Sequence, residues 1–200
     1  MLRNLAILIA VAAMAALSFA PSAHADVFIY TAFMDGPSED PPNVTPGTGF
    51  ARVDYDDVAH SMRVQADFSD LIGTTTAAHI HAPTPVPFAM TAGVATQLPS
   101  FTGFPLGVTS GSMDETFDLT QSSSWNPSFI TNNGGSPASA EAAFAQFLNE
   151  GRAYFNIHST FDGSGEIRGF LVLVPEPTTA CLGLASLAAV MLAMRPTRRS

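Results

Sequence analysis

The chain of 200 residues has no lysine and a single cysteine, Cys181. The cysteine lies in an apolar tract near the C-terminus, so the central region forms no internal disulfide and must be stabilised by packing or by a metal. Only 12% of the residues are charged, and eight arginines face seventeen carboxylates, which gives a formal net charge of −9 at pH 7. An acidic chain repels phosphate backbones. The composition therefore excludes nucleic acid as a partner and favours cations.

The first 25 residues have the pattern of a secretory signal. Arg3 precedes an apolar run over residues 5–19, and Ala23-His24-Ala25 has the small-x-small form cut by signal peptidase, with Ala23 and Ala25 as the small residues. The run is short for a membrane span, which is the alternative interpretation. The pattern predicts a cleaved signal helix over residues 1–25 and a mature chain that begins at Asp26.

Short apolar segments separated by turn residues follow over residues 26–174. The stretch 61–68 alternates apolar and polar side chains, which is typical of a half-buried antiparallel strand. One short helix is predicted after Ser136, which can cap it, and ends at Gly151. Segments 83–109 and 121–135 are predicted as loops, apart from a short strand near 93–98. Seven or eight strands and one helix predict a single all-β sandwich or barrel.

Two stretches carry the candidate chemistry. His79 and His81 alternate on one predicted strand and therefore project to the same face. His158 lies on a second strand, where it shares a face with Tyr154 and Asn156. If the two strands are neighbours, three imidazoles converge, and imidazole is a preferred ligand of copper and zinc. One hypothesis is therefore a copper or zinc site formed by three histidines, with redox activity as one form of it.

The other hypothesis is a structural polar network without a cofactor. Glu166 and Arg168 fall on one face of a late strand, and with Asn156 they could share buried hydrogen bonds with the histidines and fix the strand register. No catalytic residue is predicted, because no Gly-x-Ser-x-Gly turn occurs and few histidines remain after signal cleavage. Trp125 in the polar loop is either a carbohydrate-stacking platform or a packing residue against the helix.

The C-terminal segment 175–200 has three parts in order. Pro175-Glu176-Pro177 precedes an apolar stretch over residues 178–194, and Arg195, Arg198 and Arg199 follow it. An apolar stretch of this length with basic residues after it predicts a transmembrane helix whose basic end stays in the cytoplasm.

This tail resembles the bacterial PEP-CTERM sorting signal. The resemblance implies recognition by an exosortase-type membrane protease, so the chain is anchored only transiently in the inner membrane before processing. It also implies a final location at the cell surface or in the extracellular matrix of a Gram-negative bacterium, within a biofilm. Signal peptidase, the exosortase, exopolysaccharide and other surface proteins are the partners expected on this basis.

The central region resembles the CHRD domain, named after chordin. The resemblance is carried by four segments in order, namely 36–42 (GPSEDPP), 78–81 (AHIH), 147–159 (FLNEGRAYFNIHS) and 165–169 (GEIRG). It implies an immunoglobulin-like or superoxide-dismutase-like β-barrel with no established catalytic activity. The predicted function is therefore a non-enzymatic structural or binding module, with metal binding as the alternative.

Overall fold

The structure is a computed structural model that describes residues 27–175. The predicted signal sequence and the sorting segment after Pro175 lie outside the described residues. Within them, no helix is long and apolar enough to cross a membrane. The strands are β1 (Val27–Asp35), β2 (Thr48–Asp56), β3 (Ser61–Ser69), β4 (Thr75–His81), β5 (Gly111–Asp118), β6 (Tyr154–Ser159), β7 (Ile167–Phe170) and β8 (Val172–Leu173).

All these strands form one antiparallel sheet in the order β4-β6-β7-β1-β2-β3-β5, and β8 also pairs with β1. Strands β4 and β5 are the two edges of this sheet, and the end of the segment that connects them bonds back to the start of β4. The Thr75 amide donates to the Val108 carbonyl over 2.8 Å, and the Leu71 amide donates to the Thr109 carbonyl over 3.1 Å. The sheet is therefore curled, with a concave face that holds the core.

The core follows from strict alternation along the strands. On β3, Met62, Val64, Ala66 and Phe68 are buried while the residues between them are not, as the sequence predicts. The same core contains Ala78 and Ile80 of β4 and Phe155 and Ile157 of β6. The histidines of these two strands therefore lie on the opposite face of the sheet. The prediction of an all-β sandwich or barrel is confirmed.

Two α-helices close one side of the core: α1 (Pro127–Asn132) and α2 (Pro137–Asn149). Helix α2 begins at the predicted cap, where Ser136 and Ser139 form a reciprocal capping box. Helix α1 lies in a segment predicted as loop, and that prediction was wrong because a helix of six residues is too short to show periodicity. The strand predicted near 93–98 is also absent, since Val94 and Thr96 form only isolated bridges.

Trp125 packs against the helices and forms no surface platform. Its side chain is buried, and its indole N–H donates to the Leu119 carbonyl over 2.9 Å. Its ring stacks on Phe129 and meets the edge of Phe144 on α2. The packing interpretation therefore holds, and the carbohydrate-stacking alternative is wrong for this residue.

A fully buried carboxylate ties several segments together at one end of the sheet. Glu166 accepts from the Thr45 hydroxyl over 2.5 Å, from the Ile72 amide over 2.6 Å and from the Gly73 amide over 3.1 Å. The Ser159 hydroxyl also donates to it, so that Thr45 and Ile72 share Oε1 while Gly73 and Ser159 share Oε2. These donors come from the segments before β2 and β4 and from the end of β6, so one side chain fixes how three parts of the sheet meet.

We expect Glu166→Gln to destabilise the fold by about 2–4 kcal/mol, because an amide has one acceptor oxygen where the carboxylate has two and leaves buried donors unpaired. Chemical denaturation measures the change. Glu115→Gln is the matched control, because Glu115 is an exposed residue of β5, and it should shift the free energy of unfolding by no more than about 0.5 kcal/mol. Equal stability of the two variants would contradict the role given to Glu166.

Candidate metal centre

The structure brings His79, His81 and His158 together. Strands β4 and β6 are antiparallel neighbours in which His79 pairs with Asn156 and Ala77 with His158, so all three rings project from the same face. One ring nitrogen of each histidine lies within 4.8 Å of those of the other two. The Nε2 atoms of His81 and His158 are 3.3 Å apart.

Two loops cover this cluster. The His79 and His81 rings bond to backbone carbonyls of the loop 82–110, and the His158 ring bonds to one in the turn 160–166. The three residues are only 5%, 7% and 9% exposed. The cluster is therefore a shielded site on the convex side of β4 and β6, separate from the apolar core.

Each ring has one nitrogen fixed by a backbone carbonyl. Nε2 of His79 donates to the Pro99 carbonyl over 2.7 Å, Nδ1 of His81 to the Ala92 carbonyl over 2.9 Å, and Nδ1 of His158 to the Gly163 carbonyl over 3.1 Å. A carbonyl only accepts, so these nitrogens carry the protons of the neutral rings. The opposite nitrogens, Nδ1 of His79 and Nε2 of the other two, are left with lone pairs.

The Nε2 atoms of His81 and His158 have the separation that two ligands of a small cation require. Nitrogens bound at about 2.0–2.1 Å around a tetrahedral ion stand about 3.3–3.4 Å apart. The His81–His158 separation of 3.3 Å matches this value, and one nitrogen of each of the three rings lies within 4.8 Å of those of the other two. A carbonyl on the outer nitrogen is also the usual way in which a metal-ligating histidine is oriented.

Burial keeps the rings neutral. It lowers the pKa of His79 and of His81 from 6.5 to about 4, against the opposing effect of the carbonyl hydrogen bonds, and it also lowers the pKa of His158. Neutral imidazole is the form that binds metal. The three rings are therefore unprotonated at neutral pH.

Tyr154 orients one of the candidate ligands. Its ring stacks flat on His81, with centroids 4.9 Å apart and planes 10° from parallel. Its hydroxyl accepts from the Ala92 amide over 3.2 Å, beside the carbonyl that holds His81. The guanidinium of Arg168 lies over the Tyr154 ring at 4.9 Å from its centroid. The ring plane of His81 is therefore set by both a hydrogen bond and a stacking contact.

Glu166, Arg168 and Asn156, the residues of the predicted structural network, lie beside the histidines, and each has hydrogen-bond partners of its own. Among the described residues, no hydrogen bond joins a ring of the cluster to Glu166 or Arg168. Arg168 donates to the Ser38 and Met90 carbonyls, and Asn156 donates weakly to the Ser164 carbonyl. Within residues 27–175, the hydrogen bonds that the sequence predicted between these side chains and the histidines are therefore not formed.

Glu39 is a site residue that the sequence did not single out. It lies in the turn-rich segment 36–42, yet it is 7% exposed and its Oε2 is 3.7 Å from Nε of Arg168. Burial raises its pKa from 4.5 to about 7, although Arg168 opposes the change. Its neighbour Asp40 is exposed, and only the position of Glu39 in the GPSEDPP segment could have marked it.

His60, the fourth histidine of the region 26–174, stands apart from the cluster. It occupies the turn between β2 and β3 with its ring bonded to Glu141 over 3.0 Å. The Glu141 hydrogen bond raises the pKa of His60. The residue is exposed, and it supplies a control for variants of the cluster.

The shifted pKa values predict acid sensitivity of the metal-free protein. Between about pH 4 and 6.5 the folded state binds fewer protons at His79 and His81 than the unfolded chain, so its stability falls as the pH falls through that window. Glu39 has the opposite effect on stability between pH 4.5 and about pH 7, because its carboxyl keeps a proton in the folded state and loses it in the unfolded chain. The titrations of two or more histidines change the stability by more than the titration of one carboxyl, so the net result of lowering the pH is a loss of stability.

We therefore expect the denaturant midpoint, measured with a chelator present, to fall between about pH 7 and pH 5. Glu39→Gln removes the opposing titration and should make this fall steeper than in the wild-type protein. A shallower fall in Glu39→Gln would contradict the assignment.

Comparison with known proteins bears on the identity of the domain. Neither a curated protein nor a solved structure matches the chain. The family model of the CHRD domain matches residues 30–171, which include every strand that carries the cluster and both loops that cover it. The chain therefore belongs to the CHRD domain family.

Proposed function

We propose that this protein is an exported CHRD module that binds one copper or zinc ion through His79, His81 and His158. The observation that carries the proposal is the convergence of three buried histidine rings: one nitrogen of each lies within 4.8 Å of those of the others, and each ring donates from one nitrogen to a backbone carbonyl. Imidazole ligands with carbonyl partners on the outer nitrogen are typical of copper and zinc sites.

A purely structural role leaves this arrangement unexplained. Nδ1 of His79 is buried without a partner, which costs free energy in the absence of a ligand. Nε2 of His81 and Nε2 of His158 face each other with no proton between them in the neutral tautomers that their carbonyls select. A cation satisfies all three atoms at once, so the metal hypothesis is favoured over the hydrogen-bonded network for these residues.

The module is proposed as a binding domain without a defined reaction. Its strongly acidic composition attracts cations, and CHRD domains are typically extracellular. Export by a cleaved signal after Ala25 and sorting through Pro175-Glu176-Pro177 by an exosortase-type protease are supported by the residue patterns at the two ends of the sequence. A surface or matrix location of this kind would place the metal site outside the cell.

Metal binding is tested by elemental analysis and titration of the protein purified without a polyhistidine tag. We expect one equivalent of copper or zinc per chain. His81→Asn should weaken the affinity by more than about 100-fold, since the loss of an outer-shell partner alone costs about 10–100-fold.

His60→Asn is the matched control, because it removes an exposed histidine outside the cluster and should leave the stoichiometry and affinity unchanged. The proposal is wrong if the wild-type protein binds no stoichiometric metal, or if His60→Asn loses as much affinity as His81→Asn.

Sorting is tested in a Gram-negative host that carries an exosortase. The mature N-terminus should be Asp26, and the C-terminus of the surface form should lie near residues 175–177. Glu176→Ala should keep the chain in the membrane fraction, while Glu150→Ala, a change of the same kind in the central domain, should mature normally. Equal processing of both variants, read by mass spectrometry of membrane and surface fractions, argues against the sorting proposal.

A further inference from the structure

The outer face of β1 and β2 carries a pair of aromatic rings outside the core. Phe33 on β1 is 82% exposed, more than any other aromatic side chain within residues 27–175. It lies directly opposite Phe50 on β2, and the two ring centroids are 5.1 Å apart with their planes tilted by 59°. Phenylalanine is among the residues most often buried in proteins, so an adjacent pair of this kind on a sheet surface indicates a contact with another molecule.

A groove begins at Phe50 and extends across the outer face of β3 toward β5. Its volume is about 440 Å³. Strand register places the lining side chains, because Phe50 lies opposite Asp67 and Arg52 lies opposite Gln65. Gln65 in turn lies opposite Asp114 on β5. A second hollow of about 340 Å³ follows along the sheet and shares Phe50 and Asp67 with the first, so the two form one extended concave surface.

The polar side chains of the groove offer both donors and acceptors. Asp114 is held by Arg63, which donates to its two oxygens over 2.7 and 2.6 Å, and by the Gln65 amide over 3.1 Å. These bonds leave the Gln65 carbonyl oxygen as an acceptor, and the five N–H groups of a guanidinium leave donors on Arg52. Asp67 is exposed and adds a carboxylate. A hydroxyl group both donates and accepts, so this set is complementary to a molecule rich in hydroxyls.

The charge of this face disfavours an acidic ligand. The outer side chains of β2, β3 and β5 in and around the groove include three carboxylates, those of Asp54, Asp67 and Asp114, against the guanidiniums of Arg52 and Arg63. The whole chain carries a formal net charge of −9, which repels polyanions. The complementary ligand is therefore uncharged.

The same face is unsuited to a second copy of the chain. Stable protein interfaces bury about 800 Å² on each partner, and the cores of such interfaces are depleted of charged residues. Here the apolar part consists of two phenylalanine rings, while the row across the middle of the face is formed by Arg52, Gln65 and Asp114. A small aromatic area beside a charged and hydroxyl-complementary groove is suited to a sugar chain.

We propose that Phe33, Phe50 and the groove beside them form a binding site for a neutral, β-linked glucan chain. The hydroxyls of a β-linked glucose unit are equatorial, so the faces of its ring present C–H groups that pack on an aromatic ring while its hydroxyls point outward to polar side chains. Phe33 and Phe50 pack against one sugar unit, and Arg52, Gln65 and Asp67 bond to hydroxyls of the units that follow along the groove. The site lies on other strands than the histidine cluster, and glucan binding requires no metal.

The test is native electrophoresis of the purified full chain in gels that contain a soluble polysaccharide, because binding slows migration and its concentration dependence gives a dissociation constant. The gels contain hydroxyethylcellulose or laminarin, two neutral β-linked glucans, or alginate, an acidic polysaccharide. A non-ionic detergent without a sugar headgroup keeps the apolar terminal segments in solution, and a chelator removes metal. We expect at least one of the neutral glucans to slow the wild-type protein and alginate to leave its migration unchanged.

Two variants test the groove without disturbing the core, since both residues are exposed. Phe33→Ala should weaken the glucan affinity by about tenfold or more, and Phe33→Tyr, which keeps an aromatic face, should retain most of it. Asp67→Ala removes an acceptor and should weaken binding several-fold. Phe161→Ala is the matched control, because Phe161 is 43% exposed in the turn between β6 and β7 and does not line the groove. It should bind as the wild-type protein does.

The proposal is wrong if neither neutral glucan slows the wild-type protein, or if alginate alone does. It is also wrong if Phe33→Ala and Asp67→Ala bind as tightly as the wild-type protein, or if Phe161→Ala loses as much affinity as Phe33→Ala. Light scattering without polysaccharide tests the competing occupant: a dimer of the wild-type chain that Phe33→Ala abolishes would assign this face to self-association and overturn glucan binding.

Discussion

The carboxylate of Glu166 is the interaction on which the position of the histidine strands depends. Its two oxygens accept from donors that lie before β2, before β4 and at the end of β6, while its own backbone leads into β7. A charge with no exposure is stable only when its acceptor positions are filled, so the segments that supply the donors are held together. The pairing of His79 with Asn156, and hence the convergence of the rings, follows from that fixed junction.

Local periodicity in the sequence predicted the strands well. Alternation along β3, and the opposite faces of Ala78 and His79 on β4, could be read directly because one face of each strand is apolar. The position of helix α2 also followed from its cap. Helix α1 was missed because six residues do not establish a period.

The site was only partly predictable, for a different physical reason. That His79, His81 and His158 could meet was visible from spacing, but the groups that decide which ring nitrogen carries the proton were not. Those groups are main-chain carbonyls of Ala92, Pro99 and Gly163, and a carbonyl leaves no mark in a sequence. The role of Glu39 could not be predicted from the sequence either. Glu39 is buried and Asp40 next to it is exposed, and no local feature of the sequence distinguishes these two carboxylates.

The use of carbonyls in place of side chains to hold the imidazoles has a consequence for how this domain tolerates change. Every amino acid carries a carbonyl, so the loop 82–110 can exchange its side chains and still select the same ring tautomers, provided its path is kept. Relatives with unlike loop sequences could share the site, and a comparison that looks for matching polar residues around the histidines would fail to find it. A substitution in this loop is therefore expected to disturb the rings only where it changes the course of the main chain.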